Sequence, residues 1–341
     1  MNTMNIGIKG IGYGIGSRLV TNKDMEKIVD TTDEWIREKI GVEQRYLVND
    51  DEALSDLAIR AADMAIKDAG IHPHDIDIII VNAHNHDHKT PATACIVQKG
   101  IDAKNAGAFD IRIACAGFIY GCATGASLIK SGIAKNVLVI AGEVHSNFVS
   151  FTDRSTCVFF GDGAGAVILS ECEEGKGFID FDLSADGYNW DVMYVPDGGS
   201  RNPTTKESLE KYEFKPGCTR NRLEGTMDGP AVFEFATRVF PESVKKVCEK
   251  SNLNVKDLDF VVPHQANKNI IKLSMDKLGL PMEKTYINLH KYGNMSSASQ
   301  VIALKEALDE GLIKENDTIA LVGFGAGLAW GSFTMKWTNN F

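Results

Sequence analysis

The strongest constraint on the fold is that the second half of the chain repeats the first. The stretch "AGIHPHDIDIIIV" (Ala69 to Val81) returns as "SNLNVKDLDFVV" (Ser251 to Val262), each a turn, an Asp-apolar-Asp step and a buried apolar run. "SGIAKNVLVIAG" from Ser131 returns as "EGLIKENDTIALVG" from Glu310, and "GDGAGAVIL" from Gly161 returns as "GFGAGLAWG" from Gly323. The order is kept, so two copies of one supersecondary plan are expected to bury their apolar faces against each other. Helical stripes such as Leu54, Leu57, Ala58, Ala61 and Ala65 alternate with short β-branched runs. That alternation reads as an α/β fold of parallel strands, buried on both faces and joined by helices. A chain of 341 residues exceeds the usual size of a single core. The expected halves are residues 1–174 and 175–341, intertwined as one unit, with the polar, Gly/Pro-punctuated stretch Gly175 to Arg222 as linker.

The net charge of −10 repels nucleic acid and anionic membrane surfaces, so neither is expected as a partner. Seven cysteines without a CxxC pair argue for a reducing compartment rather than a disulfide framework or structural zinc. The N-terminus lacks the apolar core of a signal peptide, and no apolar run reaches membrane-spanning length; a cytoplasmic protein is expected.

One cysteine has a context. After the strand-like "AGAFDIRIA", Cys115 opens the helical pattern "CAGFIYGCATGASLIKSG", which Gly132 ends. Gly117, Gly121 and Gly125 leave one face of that helix bare for close approach, which predicts a central, buried helix. A thiol at a helix N-terminus meets the positive end of the macrodipole, which lowers its pKa and favours the thiolate. The neighbouring N–H groups can hold an oxyanion formed on a thioester.

The repeat supplies partners. Cys115 stands as far before Gly132 as Asn294 stands before Gly311, so Asn294 begins the twin helix, and a pseudo-dyad would bring the two starts together. His264, in "VPHQAN", follows a buried strand, where ligand sites form in such sheets. A thiol, an imidazole and an amide converging there form an acyl-transfer constellation.

These stretches resemble the β-ketoacyl-ACP synthase III family of the thiolase superfamily, from Gly7 nearly to the C-terminus. The likeness is carried by "TTDEWIREKIG", "ACAGFIYG", "FTDRST", "FGDGAGA", "HQAN", "GNMSSAS" and "GFGAGLAWGS". The resemblance implies a homodimer of duplicated, five-layer αβαβα thiolase-like subunits and a decarboxylative condensation. Cys115 then resembles the nucleophile that takes an acyl group from acyl-CoA. His264 and Asn294 resemble the pair that holds the thioester carbonyl of a malonyl extender on acyl carrier protein. The backbone N–H groups of Cys115 and Ala326 are similar to the oxyanion hole. Trp35, Arg154 and Asn267 match coenzyme A contacts, Thr90 sits where the family has a bulky acyl-pocket residue, and Lys268 and Lys272 lie where the carrier protein docks. Coenzyme A is a substrate here, and no cofactor or metal is implied.

Departures accompany the likeness. Asn269 stands where the family often has a basic residue, Pro230 replaces a common asparagine and Glu234 a common lysine. The small Thr90 implies room for a longer or bulkier acyl group. These changes tilt the reading from fatty acid initiation toward a specialised lipid or polyketide pathway. Acyl transfer to an alcohol or amine without decarboxylation, and a non-catalytic partner subunit, are the alternatives. A degradative thiolase would want a second cysteine in "GFGAGLAWG", which has none. "HNHDH" places His84, His86 and His88 on alternate positions but offers no fourth metal ligand. "GYGIG" and "GDGAG" lack the context of phosphate loops and read as tight turns.

Overall fold

The computed structural model describes residues 3–341; the first two residues of the N-terminal half lie outside the described residues. Strands β1 (Ile6–Ile15), β2 (Ile78–Asn82), β3 (Gly107–Ile111), β4 (Val137–Glu143) and β5 (Gly163–Glu171) form one sheet in the order β1-β5-β4-β2-β3. Strands β6 (Gly177–Ala185), β7 (Phe260–Pro263), β8 (Thr318–Gly325) and β9 (Ala329–Lys336) form a second, ordered β7-β8-β9-β6. Both follow one plan. A parallel pair, β2/β4 or β7/β8, is followed by two antiparallel neighbours. The place of β3 is taken in the second sheet by a single bridge between Val261 and Thr285.

The connecting helices used below are α1 (Asp33–Lys39), α2 (Leu54–Ala69), α3 (Thr93–Gly100), α4 (Gly117–Lys130), α5 (Gly229–Lys250), α6 (Lys268–Leu278) and α7 (Ala298–Asp309). Strand pleating sorts the apolar runs into layers. Ile79, Val81, Leu138 and Ile140 face outward against α2 and α3, whereas Ile80, Val137 and Val139 face a central core with α4 and α7. On the other sheet Ile319 and Leu321 close that central core, while Ala320 and Val322 face α5 and α6. The result is the αβαβα sandwich of the thiolase fold, with α4 and α7 as its middle layer. Each aliphatic side chain buried there contributes about 1.5–3 kcal/mol over an exposed one, so the middle layer is a costly place for any cavity or polar group. No helix among the described residues is long and apolar enough to cross a membrane.

The structure corrects three sequence expectations. "GYGIG" is no turn. It is the end of β1, where a Cβ on Gly12 would stand 2.2 Å from Ala61 O and one on Gly14 2.4 Å from Leu57 O, so the missing side chains let α2 lie directly on the strand. The third repeat pairing also shifts: "GDGAG" opens β5 after a long connection from β4, whereas "GFGAG" ends β8 and turns straight into β9. The proposed linker contains β6, a full strand of the second sheet. The remainder of that segment folds over the molecule through two small ribbons, Met193–Tyr194 with Thr226–Met227 and Tyr212–Lys215 with Cys218–Arg220. Hydrogen bonds from Ser150 and Thr152 to Thr219 O pin it down.

Candidate active site

Cys115 occupies a single 3₁₀ turn (Ala114–Ala116) between β3 and α4. Ala114 just before it has φ +27, in the region that L-residues avoid. The brace for this turn is Asn82, at the end of β2. Its Oδ1 accepts from Ile113 N (3.0 Å), and its Nδ2 donates to Ala114 O (3.1 Å) and to Ser297 Oγ (3.0 Å). A Cβ on Gly117 would stand 1.9 Å from the Asn82 side chain, and one on Gly121 2.6 Å from Val139 Cγ1. The bare face of α4 therefore packs on the first sheet and on the Asn82 amide.

The two repeat starts meet. Ser296 Oγ lies 3.4 Å from Cys115 Sγ, and Gln300 Nε2 donates to Cys115 O at 2.9 Å. The helix α7 starts four residues after Asn294 rather than at it, because Ser296 takes φ +51 and Asn294 Oδ1 accepts from Ser296 N at 2.9 Å. The oxygen of the amide is thus spent on the backbone, and its NH₂ group is left for the cavity. His264 follows β7, with Nδ1 2.8 Å from Ser299 Oγ, which in turn lies 2.8 Å from Ser296 O. Its ring meets that of Phe324 edge-on at 5.4 Å.

Burial sets the ionisation. It pushes the Cys115 thiol up to about 11, opposed only in part by the Ser296 hydroxyl. The lowered pKa expected from the helix start is not found: the thiol is buried, and its one charged influence, Glu143, is an anion that raises the value further. Burial likewise pulls His264 down to about 3, so its imidazole is neutral near pH 7.

Cys115, His264 and Asn294 line one cavity of ≈ 260 Å³, together with Trp35, Asn267, Phe324 and the cover residues Met193 and Met227. A second, smaller cavity lies against the other side of Cys115 and includes Ala326. Gly325 lines the larger one, where a Cβ would stand 3.0 Å from Cys115 Sγ. Trp35 lies under the Arg154 guanidinium at 5.2 Å, and Arg154 also donates to Asp30 O at 3.1 Å. Asn267 caps α6 through Oδ1, which accepts from Asn269 N (2.7 Å), and its Nδ2 donates to Lys39 O (3.0 Å). Asn269 Nδ2 donates to the same carbonyl at 3.0 Å, a backbone contact that a charged side chain is not needed to make.

Two expectations change. Thr90 is exposed and lines neither cavity. Within one chain it gives the acyl group no room. Lys268 is half-buried with Nζ donating to Arg37 O at 2.5 Å, so of the two docking lysines only Lys272 is exposed. Pro230 sits in the first turn of α5 beside the Asp228 cap, and Glu234 is exposed. His84 Nδ1 lies 2.5 Å from Glu143 and His86 Nδ1 3.1 Å from Asp110, while His88 is exposed. Sequence reasoning missed Asn82, Ser299, Gln300 and the cover methionines. Asn82 alone left a signal, a polar residue ending the run "IIIVN".

Two repeated halves, each presenting a helix start to one enclosed cavity at their seam, define a condensing enzyme of the thiolase fold. The chain belongs, more narrowly, to the 3-oxoacyl-[acyl-carrier-protein] synthase III family, as sequence comparison shows. Residues 109–187 match the family model described as 3-oxoacyl-[acyl-carrier-protein (ACP)] synthase III, and residues 248–337 match its C-terminal model. The chain is 44% identical to a β-ketoacyl-[acyl-carrier-protein] synthase III of Caldanaerobacter subterraneus, over 97% of this chain and 98% of that one. It is 45% identical to one of Clostridioides difficile over 99% and 100%. The solved 3-oxoacyl-[acyl-carrier-protein] synthase III of Aquifex aeolicus superposes with a TM-score of 0.86 at 38% identity, over 97% of this chain and 100% of that one.

Proposed function

We propose that the chain takes an acyl group from acyl-CoA onto Cys115 and condenses it with malonyl-ACP. The observation that carries this reading is the convergence of Cys115, His264 and Asn294 on one cavity at the seam of the two halves. In the first step Cys115 Sγ bonds to the thioester carbonyl carbon, and coenzyme A leaves with the thiol proton. In the second, the malonyl Cα–carboxylate bond breaks, carbon dioxide leaves, and its electron pair forms an enolate. That enolate attacks the acyl carbon, the Cys115 thiolate departs, and a β-ketoacyl thioester is released.

Decarboxylation needs neutral donors aimed at the developing charge rather than a strong base. Asn294 Nδ2 supplies one. His264 supplies the other in the tautomer that carries its proton on Nε2, with the ring positioned by the 2.8 Å contact between Nδ1 and Ser299 Oγ. The backbone N–H groups of Cys115 and Ala326 hold the oxyanion of the acyl-transfer steps. Trp35 and the Arg154 guanidinium stacked on it form the coenzyme A contact at the cavity mouth, with Asn267 deeper in. Lys272 serves the carrier protein, and two copies of the chain form the working unit in the cytoplasm.

The test is intact-protein mass after incubation with acyl-CoAs, wild type beside Cys115→Ser. A gain of one acyl group in the wild type alone is expected. An adduct that persists in the variant, or none with any donor, would overturn the reading.

A further inference from the structure

Ser296 stands among the three reacting residues and takes no part in the steps proposed above. It is fully buried. Its N–H donates to Asn294 Oδ1 at 2.9 Å, and its carbonyl accepts at 2.8 Å from Ser299 Oγ, the hydroxyl that also contacts His264. With both backbone groups held and φ at +51, the side chain reaches across the seam, where Oγ lies 3.4 Å from Cys115 Sγ. Among the described residues that sulfur is the hydroxyl's one hydrogen-bond partner.

Cys115 has no stronger helper. Among the described residues no ring nitrogen or cation hydrogen-bonds Sγ, and the charged group that acts on it, Glu143 at the end of β4, is an anion. Of the histidines lining its two cavities, His84 is paired with that carboxylate, and burial keeps His145 and His264 neutral, with pKa values lowered to about 4 and about 3. A bare thiolate formed here would be a desolvated charge beside another anion. Ser296 is the one side chain that works in the thiolate's favour.

We infer, resting on the condensing activity proposed above, that Ser296 is a further catalytic residue whose hydroxyl donates to Sγ whenever negative charge gathers on that sulfur. Charge gathers twice: as the thiol gives up its proton to attack the acyl thioester, and as the enolate breaks the bond between Sγ and the acyl carbon. In the second event the electron pair of that bond returns to Sγ. Ser296 keeps its own proton throughout, and the sulfur regains one from solvent as the product leaves. A neutral hydroxyl suits both events, because it leaves the resting thiol protonated and meets the charge where it develops.

The test compares wild type with Ser296→Ala and Ser296→Gly, which both lack the hydroxyl; glycine also accepts φ +51 without strain. Iodoacetamide alkylation of Cys115, followed by peptide mass across a pH series, reads the thiolate directly. A hydrogen bond to a charged group shifts such an equilibrium by roughly tenfold or more. A more basic thiolate is also more nucleophilic, which offsets part of that loss. Both variants should therefore be alkylated about five- to tenfold more slowly below the thiol's pKa. Condensation should fall by a similar factor in kcat with KM for the extender unchanged, as expected for an interaction made only as charge develops. An alkylation profile matching wild type in either variant would overturn the inference. Because alkylation needs no acyl donor, that result would leave the condensing activity standing. A wild type that forms no acyl adduct, with the alkylation shift present, would overturn the reaction and not the hydrogen bond.

Discussion

The two halves share a strand order but present opposite chemistry at their seam. At the start of α4 the chain is apolar and crowded: Cys115 follows a strained Ala114 and is closely approached by Gly325. At the start of α7 it is rich in hydroxyls and amides. Asn294, Ser296, Ser297, Ser299 and Gln300 each hold a backbone or side-chain partner. A nucleophile needs enclosure and few competing donors, whereas hydrogen-bond donors need their own orientation fixed. The connections diverge in the same way. From β4 to β5 the chain makes a long excursion carrying His145, Phe148 and Phe160 to the site, while β8 turns directly into β9. One connection builds walls and the other stays bare.

The sharpest way to break this division of labour is His264→Ala. If the C-terminal half serves only the extender, acylation of Cys115 should persist while condensation falls by roughly 10²–10³-fold. Loss of both, measured by adduct mass and by carbon dioxide release, would show the halves are not separable. Ser299→Ala asks whether His264 must be oriented. Condensation is expected to fall by about tenfold with little change in KM, and Ser299→Thr should recover part of it. The smallest effect concerns Cys115 itself. With its pKa near 11, the thiolate fraction rises with pH, and iodoacetamide alkylation should climb about tenfold per pH unit from 7 to 10. A plateau near pH 7 would mean that the helix start dominates after all.

Much of this was legible in the residues. The recurring apolar runs disclosed the doubled α/β plan, and the equal spacing of Cys115 and Asn294 from their closing glycines pointed to a shared site. What escaped depends on contacts across the sheets. The polar end of "IIIVN" marks Asn82 but does not announce that it braces the Cys115 turn, because its partners Ile113, Ala114 and Ser297 lie far along the chain. The thiol's raised pKa was missed because spacing reports a helix start but not its enclosure. Thr90 lies outside both cavities of its own chain, because a motif fixes a position in the chain and not the direction in which its loop leaves the sheet. The cover methionines sit in a stretch whose irregular composition concealed its contact with the site.

The Asn82–Ser297 hydrogen bond has a consequence for the repeat. It joins residues 215 positions apart, one in each copy of the repeat. Loss of either partner leaves the other a buried polar group without this bond, so the two copies are no longer independent at that point of the seam.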